Sequence, residues 1–130
     1  MCYLLCMKRI LIVDDSKNWL DYHSYAIKEL FPDYQIETAD SAHAGIAKIT
    51  ANIDNPYDIV ITDLQMEIDF LPLYAGEWFV RELQMYKEYK NTRIIIVSAT
   101  SSIKNVAQRY NVEYIPKYMC KTIDAYKVLS

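Results

Sequence analysis

Three short runs of mainly apolar, β-branched residues recur along the chain, at positions 10–13, 59–62 and 94–97. Each run is almost wholly apolar on both faces and is followed by a polar side chain, which is typical of a strand buried in a parallel sheet. Two weaker runs, at 34–38 and 112–116, are predicted as strands at an edge of the sheet or in a half-covered position. The pattern therefore predicts five strands.

The segments between these strands have the spacing of amphipathic helices. Helices are predicted at about 17–31, after Ser41, through Trp78 and Leu83, after Ser101 or Ser102, and through Ile123, Tyr126 and Leu129. Ser41 is a suitable N-cap, and Asn111 stands where the fourth helix would end in a left-handed residue. Five βα units in succession imply a parallel sheet with helices on both faces and right-handed crossovers.

Size and composition are those of one globular domain with a real core. The chain has 130 residues, of which 52% are hydrophobic and 24% are charged, so it is not a disordered composition. We interpret residues 1–7 as an N-terminal extension or the start of the first strand, and residues 8–130 as the domain.

Charge and cysteine content exclude several classes of protein. A net charge of −3 without a Lys/Arg cluster argues against direct nucleic-acid binding. No stretch approaches the roughly 18 apolar residues of a membrane span. Three cysteines without paired spacing fit neither a disulfide framework nor a zinc site. A cytoplasmic protein with reduced thiols is therefore predicted.

Polar residues follow four of the five predicted strands and carry the candidate chemistry. These residues are Asp14 and Asp15 after strand 1, Asp63 after strand 3, Ser98 after strand 4 and Lys117 near the end of strand 5. Alone, each would be a cap, a turn residue or a surface charge. Because the carboxyl ends of parallel strands meet at one edge of the sheet, all five are expected to converge there.

Three carboxylates in one pocket require a cation. Two unit charges about 4 Å apart repel by about 4 kcal/mol at an effective dielectric near 20. Hard oxygen ligands favour Mg²⁺, with Mn²⁺ as a substitute, and such an ion can neutralise an incoming phosphoryl group. Asp63 is then the natural nucleophile, Lys117 a pairing cation and Ser98 a hydrogen-bond donor to the phosphoryl oxygens.

The motifs at these strand ends resemble those of response-regulator receiver domains. Ile-Leu-Ile-Val-Asp14-Asp15-Ser16 resembles the opening acidic pair of that family, and Ile-Val-Ile-Thr-Asp63-Leu-Gln-Met66 resembles the segment around its phosphoacceptor. Ile-Ile-Val-Ser98-Ala99 resembles its Ser/Thr-Ala step, and Lys117 its lysine. The resemblance covers about residues 8–129 and implies a flavodoxin-like, doubly wound (βα)5 fold with strand order 2-1-3-4-5.

The resemblance also implies roles and partners. Mg²⁺ would be bound by Asp14, Asp15, Asp63 and the backbone carbonyl of Gln65, and Asp63 would accept a phosphoryl group from a sensor histidine kinase or a phosphotransfer protein. The chain would not be an enzyme beyond its own phosphorylation and dephosphorylation. Ser98 and an aromatic residue, here Tyr114, would form the switch.

The expected output face comprises helix 4, strand 5 and helix 5, and would bind an unknown downstream protein or a second copy of the chain as a homodimer. Tyr110, Tyr118 and Tyr126 are expected to be exposed there, beside Lys104, Arg109 and Lys127.

Three departures from the family pattern mark a divergent member. Tyr118, rather than the usual proline, follows Lys117, so that a cis bond is disfavoured and the lysine is expected to be less firmly aimed. Glu67 follows Met66 where the family has proline, and the segment to Ala75 is about five residues longer than usual. Its apolar part, 70–74, is a second candidate contact site or packs over helix 3. Asn111 replaces the common glycine before strand 5.

Three other functions are weighed against a phosphoaccepting receiver. A pseudo-receiver that binds partners independently of phosphorylation would have the same fold, although the intact acidic triad argues against it. A phosphatase of the haloacid-dehalogenase kind would need an aspartate two residues after Asp63, where this chain has Gln65. A flavin-binding module would need a phosphate-binding loop after strand 1.

Overall fold

The computed structural model describes residues 7–66 and 74–130, which form one five-stranded parallel sheet. The strand order is β2-β1-β3-β4-β5, as the resemblance implied. The strands are β1 (Arg9–Val13), β2 (Gln35–Ala39), β3 (Ile59–Asp63), β4 (Arg93–Ser98) and β5 (Glu113–Pro116). Residues 1–6 and most of the segment from Glu67 to Ala75 lie outside the described residues.

Four α-helices lie between the strands, at the predicted places. They are α1 (Lys17–Leu30), α2 (Ala42–Ala51), α3 (Ala75–Gln84) and α4 (Ile103–Tyr110). Two of them begin with a serine cap, because Ser16 Oγ accepts a hydrogen bond from Trp19 N at 3.3 Å and Ser41 Oγ accepts one from Ala44 N at 3.0 Å. The fourth helix begins after Ser102, whose side chain makes no capping hydrogen bond.

The chain ends in 3₁₀ turns instead of a fifth α-helix. Two segments, Lys117–Lys121 and Ile123–Leu129, follow β5. Side chains three residues apart line up in a 3₁₀ helix, and Tyr126 and Leu129 both pack into the core with no exposed surface. The expectation that Tyr126 lies on an exposed output face is therefore wrong, whereas Tyr118 is 71% exposed.

The core has one layer on each face of the sheet, because successive side chains of a strand point to opposite faces. Leu11 and Val13 pack with the residues of α2 and α3 on one side. Ile10 and Ile12 pack with α1 and the C-terminal 3₁₀ segments on the other. Both faces of the central strands are therefore covered, which explains their continuous apolar sequence.

Asn111 ends α4 in the left-handed conformation that the sequence predicted, with φ 56°. We expect Asn111→Ala to lower the free energy of unfolding by about 1 kcal/mol, because a Cβ without a local hydrogen-bonding group is disfavoured there. Asn111→Gly is the matched control and is expected to be neutral or stabilising. Urea unfolding of the three proteins checks this, and an alanine variant as stable as wild type would contradict it.

Candidate functional site

Three aspartates meet at the carboxyl edge of the sheet, as the sequence predicted. Asp14 and Asp15 follow β1, and Asp63 is the last residue of β3. One carboxylate oxygen from each lies within 4.8 Å of the other two. Asp14 is 1% exposed and Asp63 is 6% exposed, whereas Asp15 is more open to solvent. The pocket therefore places two buried acids beside a third at its entrance.

The two oxygens of Asp14 have different environments. Oδ1 accepts a hydrogen bond from Ser16 N at 2.9 Å. Oδ2 is buried and, among the described residues, has no hydrogen-bond donor. A buried carboxylate oxygen without a donor is costly, and a hard divalent cation offsets such a cost. The orphaned oxygen and the clustered carboxylates together fit an Mg²⁺ site.

Asp63 is a buried carboxyl group whose pKa lies above its ordinary value. Burial and repulsion by Asp14 raise its pKa from 3.8 to about 6, although attraction by Lys117 works in the opposite direction. Its Oδ1 accepts a long hydrogen bond from Gln65 N at 3.4 Å. The group is mainly ionised at neutral pH and can act there as a nucleophile.

Lys117 reaches into the pocket from the end of β5. Its Nζ lies 3.4 Å from Asp63 Oδ2 and 3.9 Å from Asp14 Oδ2. It also lies 4.6 Å from the centre of the Trp19 ring, a cation–π arrangement. No peptide bond in the described residues is cis, so Tyr118 in place of proline leaves the ammonium group directed at the acids. The bond between Lys117 and Tyr118 is trans, as expected, and how firmly the lysine is held stays a prediction.

Ser98 and Tyr114, the predicted switch residues, have opposite environments. Ser98 ends β4 beside the end of β3, is 1% exposed and accepts a hydrogen bond from Thr100 N at 3.2 Å. Tyr114 is 38% exposed on β5 and pairs in register with Ile96. The serine therefore lies at the strand end, and the tyrosine lies two residues before the end of its strand. The switch role of both and the metal-binding role of the Gln65 carbonyl stay predictions.

The start of α3 closes tightly over the backbone of the pocket. Gly76 N donates a hydrogen bond to Leu64 O at 2.9 Å. A Cβ at position 76 would lie 2.1 Å from Asp63 O and 2.6 Å from Leu64 Cα. Glycine is therefore required at this position for the helix to approach the backbone of Asp63 and Leu64.

Two residues beside the pocket were not predicted as site residues from the sequence, Trp19 and His23. Trp19 supports Lys117, and His23 is 1% exposed with its Nε2 3.9 Å from Asp14 Oδ2. The signal for His23 was its position on the apolar stripe of α1, between Leu20 and Ile27. A polar side chain on such a stripe must find a buried partner.

Comparison with solved structures finds the same arrangement of strands and helices in receiver proteins. The chemotaxis response regulator CheY4 of Vibrio cholerae is 23% identical, with a TM-score of 0.75 over 95% of this chain and 96% of that one. The response regulator TrrA of Thermotoga maritima is 29% identical over 85% and 87%, with a TM-score of 0.68. The receiver domain of the Arabidopsis thaliana histidine kinase CKI1 is 20% identical over 94% and 89%, with a TM-score of 0.72.

The fold and the pocket define a doubly wound α/β protein with an acidic site and a lysine at the carboxyl edge of its sheet. The family described as response regulator receiver domain matches residues 10–130, and the chain belongs to that family. It is thus a receiver domain of two-component signalling, and not a phosphatase of the haloacid-dehalogenase family. Receiver domains generally take phosphoryl groups from histidine kinases or phosphotransfer proteins.

A search of curated protein sequences found no match for this chain. Within residues 7–66 and 74–130, every helix is too short or too polar to span a bilayer. The predicted cytoplasmic location stays a prediction.

Proposed function

We propose that this receiver domain accepts a phosphoryl group on Asp63 in an Mg²⁺-dependent reaction, and that phosphorylation switches a protein-binding face. The observation that carries the proposal is the pocket itself. Three carboxylate oxygens lie within 4.8 Å of one another, and Lys117 Nζ lies 3.4 Å from Asp63 Oδ2. Like charges at this spacing favour a bound cation over any purely structural arrangement.

The donor set suits a hard divalent ion. Asp14, Asp15 and Asp63 would hold Mg²⁺ or Mn²⁺, together with the backbone carbonyl of Gln65. When bound, the ion supplies positive charge that neutralises the carboxylates and the incoming phosphoryl oxygens. The solved structures of Thermotoga maritima TrrA and of the Arabidopsis thaliana CKI1 receiver are complexes with Mg²⁺ and a beryllium fluoride, which supports the same ion for this chain.

The residues of the pocket perform the transfer by position and charge. An ionised Asp63 oxygen attacks phosphorus in line, so that an O–P bond forms while the N–P bond of a phosphohistidine breaks. The departing imidazole nitrogen takes a proton. Lys117 pairs with the transferred oxygens, and Ser98, at the neighbouring strand end, donates a hydrogen bond to them. The phosphohistidine belongs to a sensor kinase or a phosphotransfer protein.

The transfer is stoichiometric, so we propose that the chain is not an enzyme on other substrates. The added charge of about −1.5 to −2 would attract Ser98 and the loop after β4. Tyr114, 38% exposed, would then move inward. The output face would comprise α4, β5 and the 3₁₀ segment Ile123–Leu129, which takes the place of the expected fifth helix, and would bind a downstream protein or a second copy of the chain.

The test is phosphorylation by acetyl phosphate with Mg²⁺, read by the intact mass. Wild type is expected to gain the mass of one phosphoryl group, because acetate is a good leaving group and needs no kinase. Asp63→Asn is expected to gain none, since the amide is not a nucleophile. Asp33→Asn, an exposed aspartate in the α1–β2 connection, is the matched control and should behave as wild type.

Removal of the ion with a chelator should abolish the mass gain in wild type. A folded wild-type protein that gains no mass with Mg²⁺ would refute the proposal and favour a scaffold that acts without phosphorylation. A gain of equal size in Asp63→Asn would place the phosphoryl group elsewhere.

A further inference from the structure

A buried histidine connects the acidic pocket with the C-terminal segment. His23 lies on α1, is 1% exposed and is surrounded by the apolar residues of the core layer that α1 covers. Both ring nitrogens face a polar atom: Nδ1 lies 2.5 Å from the Tyr126 hydroxyl, and Nε2 lies 3.9 Å from Asp14 Oδ2. A buried imidazole with both nitrogens so placed is a link between two groups and not only a core filler.

The groups on either side of the imidazole favour one arrangement of the protons of Tyr126 and His23. Burial raises the pKa of the Tyr126 hydroxyl far above its ordinary value, so it keeps its proton and is able to donate it to His23 Nδ1, 2.5 Å away. With Nδ1 as the acceptor of that hydrogen bond, the imidazole carries a hydrogen on Nε2, the nitrogen that faces Asp14. The reverse tautomer would direct a lone pair at the carboxylate, which is unfavourable.

The buried polar groups form one continuous series of hydrogen-bond donors that points towards Asp14. The thiol of Cys120 lies against the Tyr126 hydroxyl, and burial raises the pKa of that thiol, so it also keeps its proton. Donation can therefore run from Tyr126 to His23 and from His23 towards Asp14. All four groups are almost or entirely buried.

The Asp14 oxygen at the end of this chain keeps its lone pairs available. The separation of 3.9 Å from His23 Nε2 is too long for a hydrogen bond, and among the described residues Oδ2 has no donor. An N–H dipole at this distance orients the carboxylate electrostatically without occupying the oxygen. Lys117 Nζ, also 3.9 Å from Oδ2, approaches from the pocket.

We propose that His23 is a positioning residue, which orients Asp14 for a divalent cation and, through Tyr126, ties that carboxylate to the C-terminal 3₁₀ segments. This role rests on the proposed Mg²⁺-dependent function. Tyr126 belongs to the segment Ile123–Leu129, and Lys117 begins the segment before it. Occupancy of the cation site and the placement of the face that carries Tyr118 are thereby coupled through buried groups.

The test is the Mg²⁺ dissociation constant, measured by calorimetry on the whole chain with MgCl₂ as the titrant. His23→Leu is expected to weaken Mg²⁺ binding by about tenfold. This is the lower end of the loss in metal affinity that follows removal of a residue supporting a metal ligand. His23→Gln keeps an N–H and an acceptor and should recover most of that loss. Tyr126→Phe removes one oxygen from a buried ring and should weaken binding by a smaller factor.

A double-mutant cycle separates positioning from general loosening of the core. Tyr126→Phe should have no effect on Mg²⁺ affinity in the His23→Leu background, because Tyr126 acts through His23. Nitrogen NMR of the imidazole should show an Nε2–H tautomer for His23 in wild type, and Tyr126→Phe should shift its signals. The chain has 2 histidines, so the signals of His23 are those missing from the spectrum of His23→Gln.

The outcomes distinguish this proposal from the one it rests on. If wild type binds Mg²⁺ and the dissociation constant of His23→Leu is within about twofold of it, the positioning role alone is overturned. Loss of a residue that supports a metal ligand weakens metal binding by more than that. Wild type that binds no Mg²⁺ refutes the proposed function and the positioning role together. An Nδ1–H tautomer in wild type overturns the proton arrangement. If His23→Leu does not fold, unchanged affinity and unchanged signals in Tyr126→Phe overturn the role.

Discussion

Metal-free protein with Asp63→Asn is expected to be more stable than wild type at pH 7.5 by about 2 kcal/mol. In the folded protein the pKa of Asp63 is raised from 3.8 to about 6, because burial and Asp14 disfavour its ionised form. The folded state therefore holds this proton to a higher pH than the unfolded chain does. Above pH 6 wild type bears the whole cost of the buried charge, which the neutral amide avoids.

The pH dependence of this difference has a definite sign. The advantage of Asp63→Asn should be complete well above pH 6 and should vanish as the pH falls below 3.8, where the carboxyl group becomes protonated in both states. Urea unfolding of both proteins across this range, in the presence of a chelator, measures it. An advantage of Asp63→Asn that grows on acidification would contradict the raised pKa of Asp63 in the folded protein. Asp33→Asn is the control for the loss of an exposed charge.

Added Mg²⁺ should reverse the order of stability. A ligand that binds only the folded state stabilises it by an amount that grows with its concentration. Wild type offers three carboxylates within 4.8 Å, and the asparagine variant offers two. The same substitution would then be stabilising without the ion and destabilising with it, a sign change that a purely structural aspartate would not produce.

Gly76→Ala is expected to lower the free energy of unfolding by about 3 kcal/mol. Position 76 is helical, where alanine normally stabilises by about 1 kcal/mol. Here the new methyl group would lie 2.1 Å from Asp63 O and 2.6 Å from Leu64 Cα, both backbone atoms that cannot rotate away. The helix or the end of β3 must shift, and Asp63 shifts with it.

Gly45→Ala is the matched control for this substitution. A Cβ there would meet side chains, at 2.7 Å from Phe79 Cε1 and 3.1 Å from Val13 Cγ2, so adjustment is easier and the loss should be smaller. Chemical denaturation of both variants ranks them, and the acetyl phosphate reaction reports the site. Gly76→Ala at wild-type stability would show that α3 does not contact the pocket backbone as described.

The fold and the acidic cluster could be predicted from the sequence because local pattern determines both. The runs before Asp14, Asp63 and Ser98 are apolar on both faces, which only central parallel strands require. Strand ends of a parallel sheet share one edge, so the same runs also predict that the acids meet. Ser41 and Asn111 served as helix boundary residues in the structure because capping depends on the nearest few residues.

Other features depended on contacts between residues distant in sequence. Tyr126 was expected on the surface, yet it is buried against His23, 103 residues earlier in the chain. The C-terminal pattern of apolar residues three apart fits an α-helix or a 3₁₀ turn equally well, so periodicity could not decide between them. The aim of Lys117 also depended on distant residues, since its ammonium group is held between Trp19 and two acids from other strands.

The sequence by itself determined the class of fold, the order of elements along the chain and the identity of the acids that share a pocket, because these follow from periodicity and from where apolar runs stop. Only the tertiary structure decided how those acids are supported. The link from Tyr126 through His23 to Asp14 and the approach of Gly76 to Asp63 join separate elements. Such contacts depend on how helices pack on the sheet, and no local pattern records that.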